Sequence, residues 1–154
     1  MSRSAIRVQN ALASAGLSAR VVELPQSTRT AADAAKAIGC EVGQIAKSLV
    51  FRAKSGDPVL VIASGTNRVN ESTIASAIGE PIGKADAEFV RERTGYAIGG
   101  VPPVGHIESI RTFIDEDLLR FDRIWAAAGT PNAVFELESH ELTPLTGGKV
   151  IRVI

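Results

Sequence analysis

The spacing of apolar residues along the chain changes repeatedly, and each change marks an element. Ile6, Val8, Leu12 and Ala15 recur on or near one face of a helix predicted over residues 3–16, with Gly16 as its stop. The β-branched run from Ala19 to Leu24 predicts a strand halted by Pro25. Thr30-Ala-Ala-Asp33 has capping-box spacing, with Asp in place of Glu or Gln, and predicts a helix through Ala37 that ends at Gly39. Lys47 to Ala53 and Pro58 to Ser64 read as two strands joined at Ser55-Gly56-Asp57 in a hairpin. Asn70 caps a helix ending at Gly79, a short strand follows near Ile82, and a further helix runs from Asp86 to about Thr94. Beyond a glycine- and proline-rich loop, Arg111 to Asp115 predicts a strand and Glu116 to Phe121 a helical turn or two. Strands follow at Arg123 to Ala128 and Ala133 to Leu137, then a short capped helix from Ser139 to Leu145 and a last strand from Lys149 to Ile154. Hairpins and helices mix without strict alternation, and neither a repeat nor a linker interrupts them. The expectation is an α+β fold in which residues 1–154 form a single domain, a mixed β-sheet with helices packed around it.

Composition adds bounds to this picture. Apolar residues make up 45% of the chain and aromatics only 5%, so aliphatic side chains must fill the core. No run approaches the roughly 18 apolar residues of a membrane helix. The N-terminal stretch has helix-face spacing and no continuous apolar core, which argues against a signal peptide. One cysteine, Cys40, permits neither an internal disulfide nor a cysteine-rich metal site. A cytoplasmic location fits, with no membrane partner and no metal or other cofactor.

Charge is balanced overall but unevenly placed. Residues 1–54 carry eight Lys/Arg against three Asp/Glu, a net of +5, and residues 55–154 carry nine against fourteen, a net of −5. Solvated faces explain this, and so does a local basic surface that meets a polyanion. Zero net charge disfavours a protein that coats long nucleic acid, DNA included, because that attraction scales with the phosphates neutralised. Contact with one end of an RNA remains open.

Two stretches carry candidate chemistry. In "QIAKSLVF" an extended backbone places Lys47 on one face with Ile45, Leu49 and Phe51. Lys47 is then either a strand-end lysine that snorkels to water or a partly buried ammonium facing a pocket. "GYAIGGVPPVGH", Gly95 to His106, holds four glycines and two prolines. Glycines let backbone approach a ligand and present N–H groups to developing negative charge, while Pro102-Pro103 fixes φ twice. A stiff crossover between elements explains the same composition. The loop matches neither the Walker phosphate loop nor the dinucleotide fingerprint. His106 closes it and is a candidate acid or base; His140 lies in the acidic "ELESHEL" and reads as a surface histidine. Ser64-Gly65-Thr66-Asn67-Arg68 follows a strand and is either a cleft-lining loop or an ordinary turn. No local signature of a serine or cysteine nucleophile is present.

"QIAKSLVF", "TGYAIGGVPPVGH" and "RTFIDEDLL", in this order and spacing, resemble the YbaK/ProX family, which is related to the editing domain inserted in bacterial prolyl-tRNA synthetases. The resemblance runs from the helix at Ala5 to the final strand. It implies the fold of that family and a free-standing deacylase that hydrolyses tRNA(Pro) carrying alanine, cysteine or a similarly small residue. It further implies the tRNA acceptor end as partner, and prolyl-tRNA synthetase as a partner that delivers the substrate. Lys47 matches the family's pocket lysine; Gly100, Pro103 and Gly105 match its glycine-proline loop. The implied catalytic set is Lys47, Gly100 and Gly105. The substrate-binding set is Val101, Pro102, Pro103, His106, Ser64, Gly65 and Thr30. Cysteine-specific members more often carry Ser-Pro in the loop and no histidine after its glycine, so Val101-Pro102-Pro103 and His106 favour alanine or 2-aminobutyrate. A rigid proline wall around a cramped pocket is expected to exclude proline. A non-catalytic module that binds aminoacyl-tRNA ends or a synthetase stays open as the alternative.

Overall fold

Helices in this chain begin where a polar side chain pairs an amide that the first turn leaves free. In the computed structural model, which describes residues 1–154, Ser2 caps α1 (Arg3–Ser14) and Thr30 caps α2 (Ala31–Ile38). Asn70 caps α3 (Glu71–Ile78) and Asp86 caps α4 (Ala87–Thr94). α5 (Leu142–Thr146) is entered through a 3-10 turn, Ser139–Glu141. Gly39 and Gly79 stop α2 and α3 with left-handed φ of 86° and 79°, as a C-terminal glycine permits. No helix is long and apolar enough to cross a membrane.

Eight strands form one mixed sheet: β1 (Val22–Glu23), β2 (Ile45–Ala53), β3 (Pro58–Ser64), β4 (Ile82–Lys84), β5 (Arg111–Asp115), β6 (Arg123–Ala127), β7 (Ala133–Glu138) and β8 (Lys149–Ile151). Their order is β1-β7-β6-β2-β3-β5-β8, with β4 also paired to β2. The hairpin β2–β3 is antiparallel, whereas β2–β6, β3–β5 and β5–β8 are parallel. This is the mixed α+β architecture expected from the sequence.

Strand alternation divides the core between the two faces of the sheet. Ala46 of β2 with Leu60 and Ile62 of β3 packs toward α1, α4 and α5, in a cluster that also holds Val8, Val90 and Leu142. Val59, Val61 and Ala63 pack the other way, against Ile74 of α3 and Phe113. β3 is buried at all seven positions, so its apolar run has no polar alternation to show.

The face of the first helix and two strand ends differ from expectation, the strand ends for visible reasons. The buried face of α1 is Ala5-Val8-Leu12, while Ile6 is exposed. The strand predicted from Ala19 shrinks to Val22–Glu23 because the Gln9 side chain takes over its backbone. Gln9 donates to Ala19 O at 3.0 Å and accepts from Val21 N at 2.8 Å. The last strand stops at Ile151, and the carbonyl of Val153 accepts from Asn70 N at 2.7 Å instead of extending the ladder.

The pairing of β2 positions the candidate site. Along one edge β2 pairs with β3 from Ala46 to Arg52. Along the other edge its pairing is split: β6 takes Ile45 and Ala46, β4 takes Phe51 to Ala53, and Lys47 to Val50 have no neighbouring strand.

Candidate functional site

A cavity of about 530 Å³ fills the gap where β6 and β4 diverge from β2. Because it runs past a strand edge, it collects side chains from both faces of β2: Lys47, Leu49 and Phe51 from one, Ser48 and Val50 from the other. α2 and the segment before it form one wall, the glycine loop at Ile98, Gly99 and Val101 another. Three cations, Arg29, Lys47 and Lys84, belong to the lining, and no carboxylate does.

The direction of the β2 backbone groups follows from two hydrogen bonds. Ala53 N donates to Asp57 O across the hairpin, and Lys54 N donates to Pro81 O on the β4 side. Alternate residues point alternate ways, so Ser48 and Val50 direct their N–H and C=O groups at the unpaired edge. That edge lies in the cavity wall. Unpaired strand backbone is a ready hydrogen-bonding surface.

Lys47 is held, not loose. Its Nζ donates to Asn67 O at 2.7 Å, which leaves further N–H donors for a ligand. The turn that carries Asn67 is tied to Asp115, which is 1% exposed. Asp115 Oδ2 accepts from Ser64 N at 2.9 Å and from Asn67 Nδ2 at 2.8 Å, and Asn67 Nδ2 also reaches Asp117 Oδ2 at 2.7 Å. Burial pushes the Lys47 ammonium below its ordinary pKa, and the Asp115 charge works in the opposite direction. Asn67→Ala keeps the carbonyl that holds Lys47 but removes the side-chain ties of its turn. Ligand turnover at the cavity is expected to fall about tenfold, the equivalent of one charge-assisted hydrogen bond, with folding retained. Thermal melts beside rate measurements check this, and an unchanged rate would show that the ties are dispensable.

The glycine loop is stapled from outside the cavity. Tyr96 donates its hydroxyl to Gly105 O at 2.8 Å, and Arg7 stacks on the Tyr96 ring with 4.5 Å to its centroid. His106 Nε2 lies 2.7 Å from Pro102 O. A carbonyl only accepts, so Nε2 carries the proton. Burial pushes the imidazole below its ordinary pKa, with the Pro102 bond opposing. Pro102 and Pro103 are buried, and neither they nor Gly105 nor His106 lines the cavity.

Gly100 brings two backbones together. A Cβ there would stand 2.8 Å from Thr130 N, and Gly100 O accepts from Gly129 N at 2.8 Å. Its own N–H is taken by Ala97 O at 3.0 Å. Gly100 thus offers no free amide, and Gly105 stands off the cavity lining. The amides of Gly99 and Val101, both on the lining, have no acceptor within the chain.

The remaining predicted residues separate. Thr30 lines the cavity, and its hydroxyl accepts from Asp33 N as the cap of α2. Ser64 and Gly65 lie behind it: Ser64 Oγ donates to Gly43 O at 2.7 Å, and a side chain on Gly65 would collide with Val42 O. Val101 lines the cavity in place of the prolines. The whole cavity, about 530 Å³, is large enough for a nucleoside beside a small acyl group. His140 pairs with Glu138 at the surface, 2.6 Å apart. Burial pushes the Cys40 thiol up, away from the reactive thiolate. Sequence reasoning missed Ser48, Gly99, Arg29 and Lys84. Ser48 and Gly99 sat inside the quoted motifs, but nothing local marked the two cations.

Comparison with known proteins gives one family. The aminoacyl-tRNA editing domain family matches residues 25–145. YwhH of Bacillus subtilis (strain 168) is 32% identical over 130 residues, covering 84% of this chain and 83% of the relative. EbsC of Enterococcus faecalis (strain ATCC 700802 / V583), named as a candidate Cys-tRNA(Pro)/Cys-tRNA(Cys) deacylase, is 26% identical over 125 residues, or 80% of this chain and 76% of EbsC. A crystal structure of a candidate trans-editing enzyme for prolyl-tRNA synthetase superposes with a TM-score of 0.94 at 50% identity, covering 99% of this chain and 98% of that one.

Proposed function

The chain belongs to the aminoacyl-tRNA editing domain family, of the YbaK/ProX kind, whose general activity is hydrolysis of mischarged aminoacyl-tRNA, and on that premise we propose that it clears tRNA(Pro) carrying alanine or another small amino acid such as 2-aminobutyrate or cysteine. The observation that carries this reading is the cavity at the split edge of β2, where a held ammonium, two further cations and unpaired amides meet with no carboxylate among them. Such a lining suits a substrate that brings phosphate, ribose and an ester carbonyl together. It does not suit a cationic or metal-dependent one.

The chemistry follows from the groups at hand. Water adds to the ester carbonyl, the oxyanion collects negative charge, and the bond to the ribose oxygen then breaks as that oxygen takes up a proton. The Gly99 and Val101 amides are the donors for the oxyanion, each worth about 10²–10³ in rate when well placed. Lys47 anchors the terminal ribose–phosphate or the ester oxygen. The cavity lining carries no carboxylate, histidine or cysteine to act as base. The 2′-hydroxyl beside the ester is the remaining group placed to orient the water.

Selection among acyl groups favours a second site. A synthetase pocket discriminates a missing methylene by only about 1–3 kcal/mol, so smaller amino acids escape it. The likeness to a candidate trans-editing enzyme for prolyl-tRNA synthetase supports tRNA(Pro) as the client and that synthetase as a partner. The test is hydrolysis of Ala-, Cys-, Ser- and Pro-tRNA(Pro) under single-turnover conditions. Alanyl ester should be cleaved fastest and prolyl ester spared. Binding of all four without turnover would replace the enzyme with a holding module, and fastest cleavage of the cysteinyl ester would overturn the preferred client.

A further inference from the structure

An aminoacyl ester carries one group for which the cation-lined cavity has no charged partner: the α-amino group. Protonated or neutral, it donates hydrogen bonds, and the ammonium form is repelled by Arg29, Lys47 and Lys84. With no carboxylate in the lining, its acceptors must be neutral oxygens.

Three hydroxyl side chains belong to the lining, and two are engaged. Thr28 donates to Pro131 O at 2.9 Å, and Thr30 accepts from Asp33 N at 3.1 Å. The third is Ser48, whose Oγ is the only buried side-chain polar atom in the chain without a hydrogen-bond partner. A buried hydroxyl left unpaired costs stability, so such groups are rare unless something else requires them. Ser48 also sits at the unpaired edge of β2, where its carbonyl and that of Val50 point into the same gap. One unpartnered hydroxyl and two unpartnered carbonyls thus lie along one stretch of wall next to Lys47.

We infer that this edge of β2, Ser48 Oγ with the Ser48 carbonyl, is the subsite that accepts the substrate's α-amino group. The inference rests on the proposed function and adds what the enzyme requires of its acyl group: a free amine, not only small size. Lys47 leaves the strand on one face while its neighbour presents acceptors at the edge. A single extended segment therefore receives both the ribose–phosphate and the amine of an aminoacylated tRNA end.

The decisive comparison uses two esters on the same tRNA, alanyl and propionyl, which differ only in the amine. Ser48→Ala should lower kcat/KM for the alanyl ester about tenfold, the equivalent of one charge-assisted hydrogen bond, and leave the propionyl ester within twofold. The melting temperature of the variant should hold or rise, since the deleted hydroxyl had no partner. Equal loss on both esters, or none on the alanyl ester, overturns the inference. So does a wild-type enzyme that cleaves both esters equally well. Binding of the non-hydrolysable 3′-alanylamino and 3′-propionylamino analogues of 3′-deoxyadenosine separates this from failure of the proposed function. If no ester is cleaved but Ser48→Ala weakens only the alanylamino analogue, the deacylase reading falls and the amine subsite stands. Equal affinities in wild type and variant would remove the subsite whatever the activity.

Discussion

Lys47→Ala should abolish most deacylation while leaving the protein folded. Nζ is half-buried, makes one hydrogen bond, to Asn67 O at 2.7 Å, and its ionic compensation comes at a distance from Asp115. Truncation removes the anchor for ribose–phosphate or ester oxygen, and a loss on the order of 10²-fold in single-turnover rate is expected, comparable to deleting one well-placed catalytic donor. Stability should change little, because the side chain's burial already opposes its charge. Lys47→Arg keeps the positive charge and sharpens the test. A planar guanidinium cannot occupy the Nζ position over the Asn67 carbonyl with the same donors free. Partial activity is expected in that variant, above Ala and below wild type. Wild-type rates in Lys47→Ala, with mischarged tRNA(Pro) as substrate, would take the lysine out of the mechanism.

Gly100→Ala should damage both stability and activity, for a reason unlike that of Lys47. The added methyl meets backbone, not a side chain that could swing away: Thr130 N at 2.8 Å, with Gly129 C and Thr130 C at 2.9 Å. Gly129 is itself pressed against Ser4 of α1, so the turn it belongs to has little room to retreat. Overpacking of this kind costs about 1–3 kcal/mol, or roughly 2–12 °C in melting temperature for a chain of this size. The loop is the part free to yield, and it carries the Gly99 and Val101 amides with it. A fall in rate of about tenfold or more is expected, appearing in kcat more than in KM if those amides serve the transition state. Calorimetric melting and single-turnover deacylation check the two effects separately. A normal melt together with normal rates would mean that the crossing of the two backbones is looser than the structure has it.

The residues that announced themselves in the sequence did so through local rules. Thr30, Asn70 and Asp86 cap helices because a side-chain oxygen two or three residues ahead of a free amide is a matter of short-range geometry. Gly39 and Gly79 end helices for the same kind of reason. The hairpin β2–β3 was legible because two apolar runs flank Ser55-Gly56-Asp57. Where a distant side chain intervened, local rules failed. Gln9 reaches across to Ala19 and Val21 and removes most of a strand whose β-branched residues asked for one.

The sequence by itself therefore determined most of the elements, the stiffness of the loop from Gly95 to His106 and the presence of Lys47 on a largely apolar strand, since each depends on neighbours a few residues apart. Only the tertiary structure decided that β6 and β4 part company along β2 and leave Ser48 and Val50 facing a cavity. It also decided that Gly99 and Val101, not Gly100 and Gly105, keep free amides on that cavity. The physical reason is the same in both cases. A backbone N–H or C=O carries no mark in the sequence of whether it will find a partner, and that partner is supplied by segments tens of residues away.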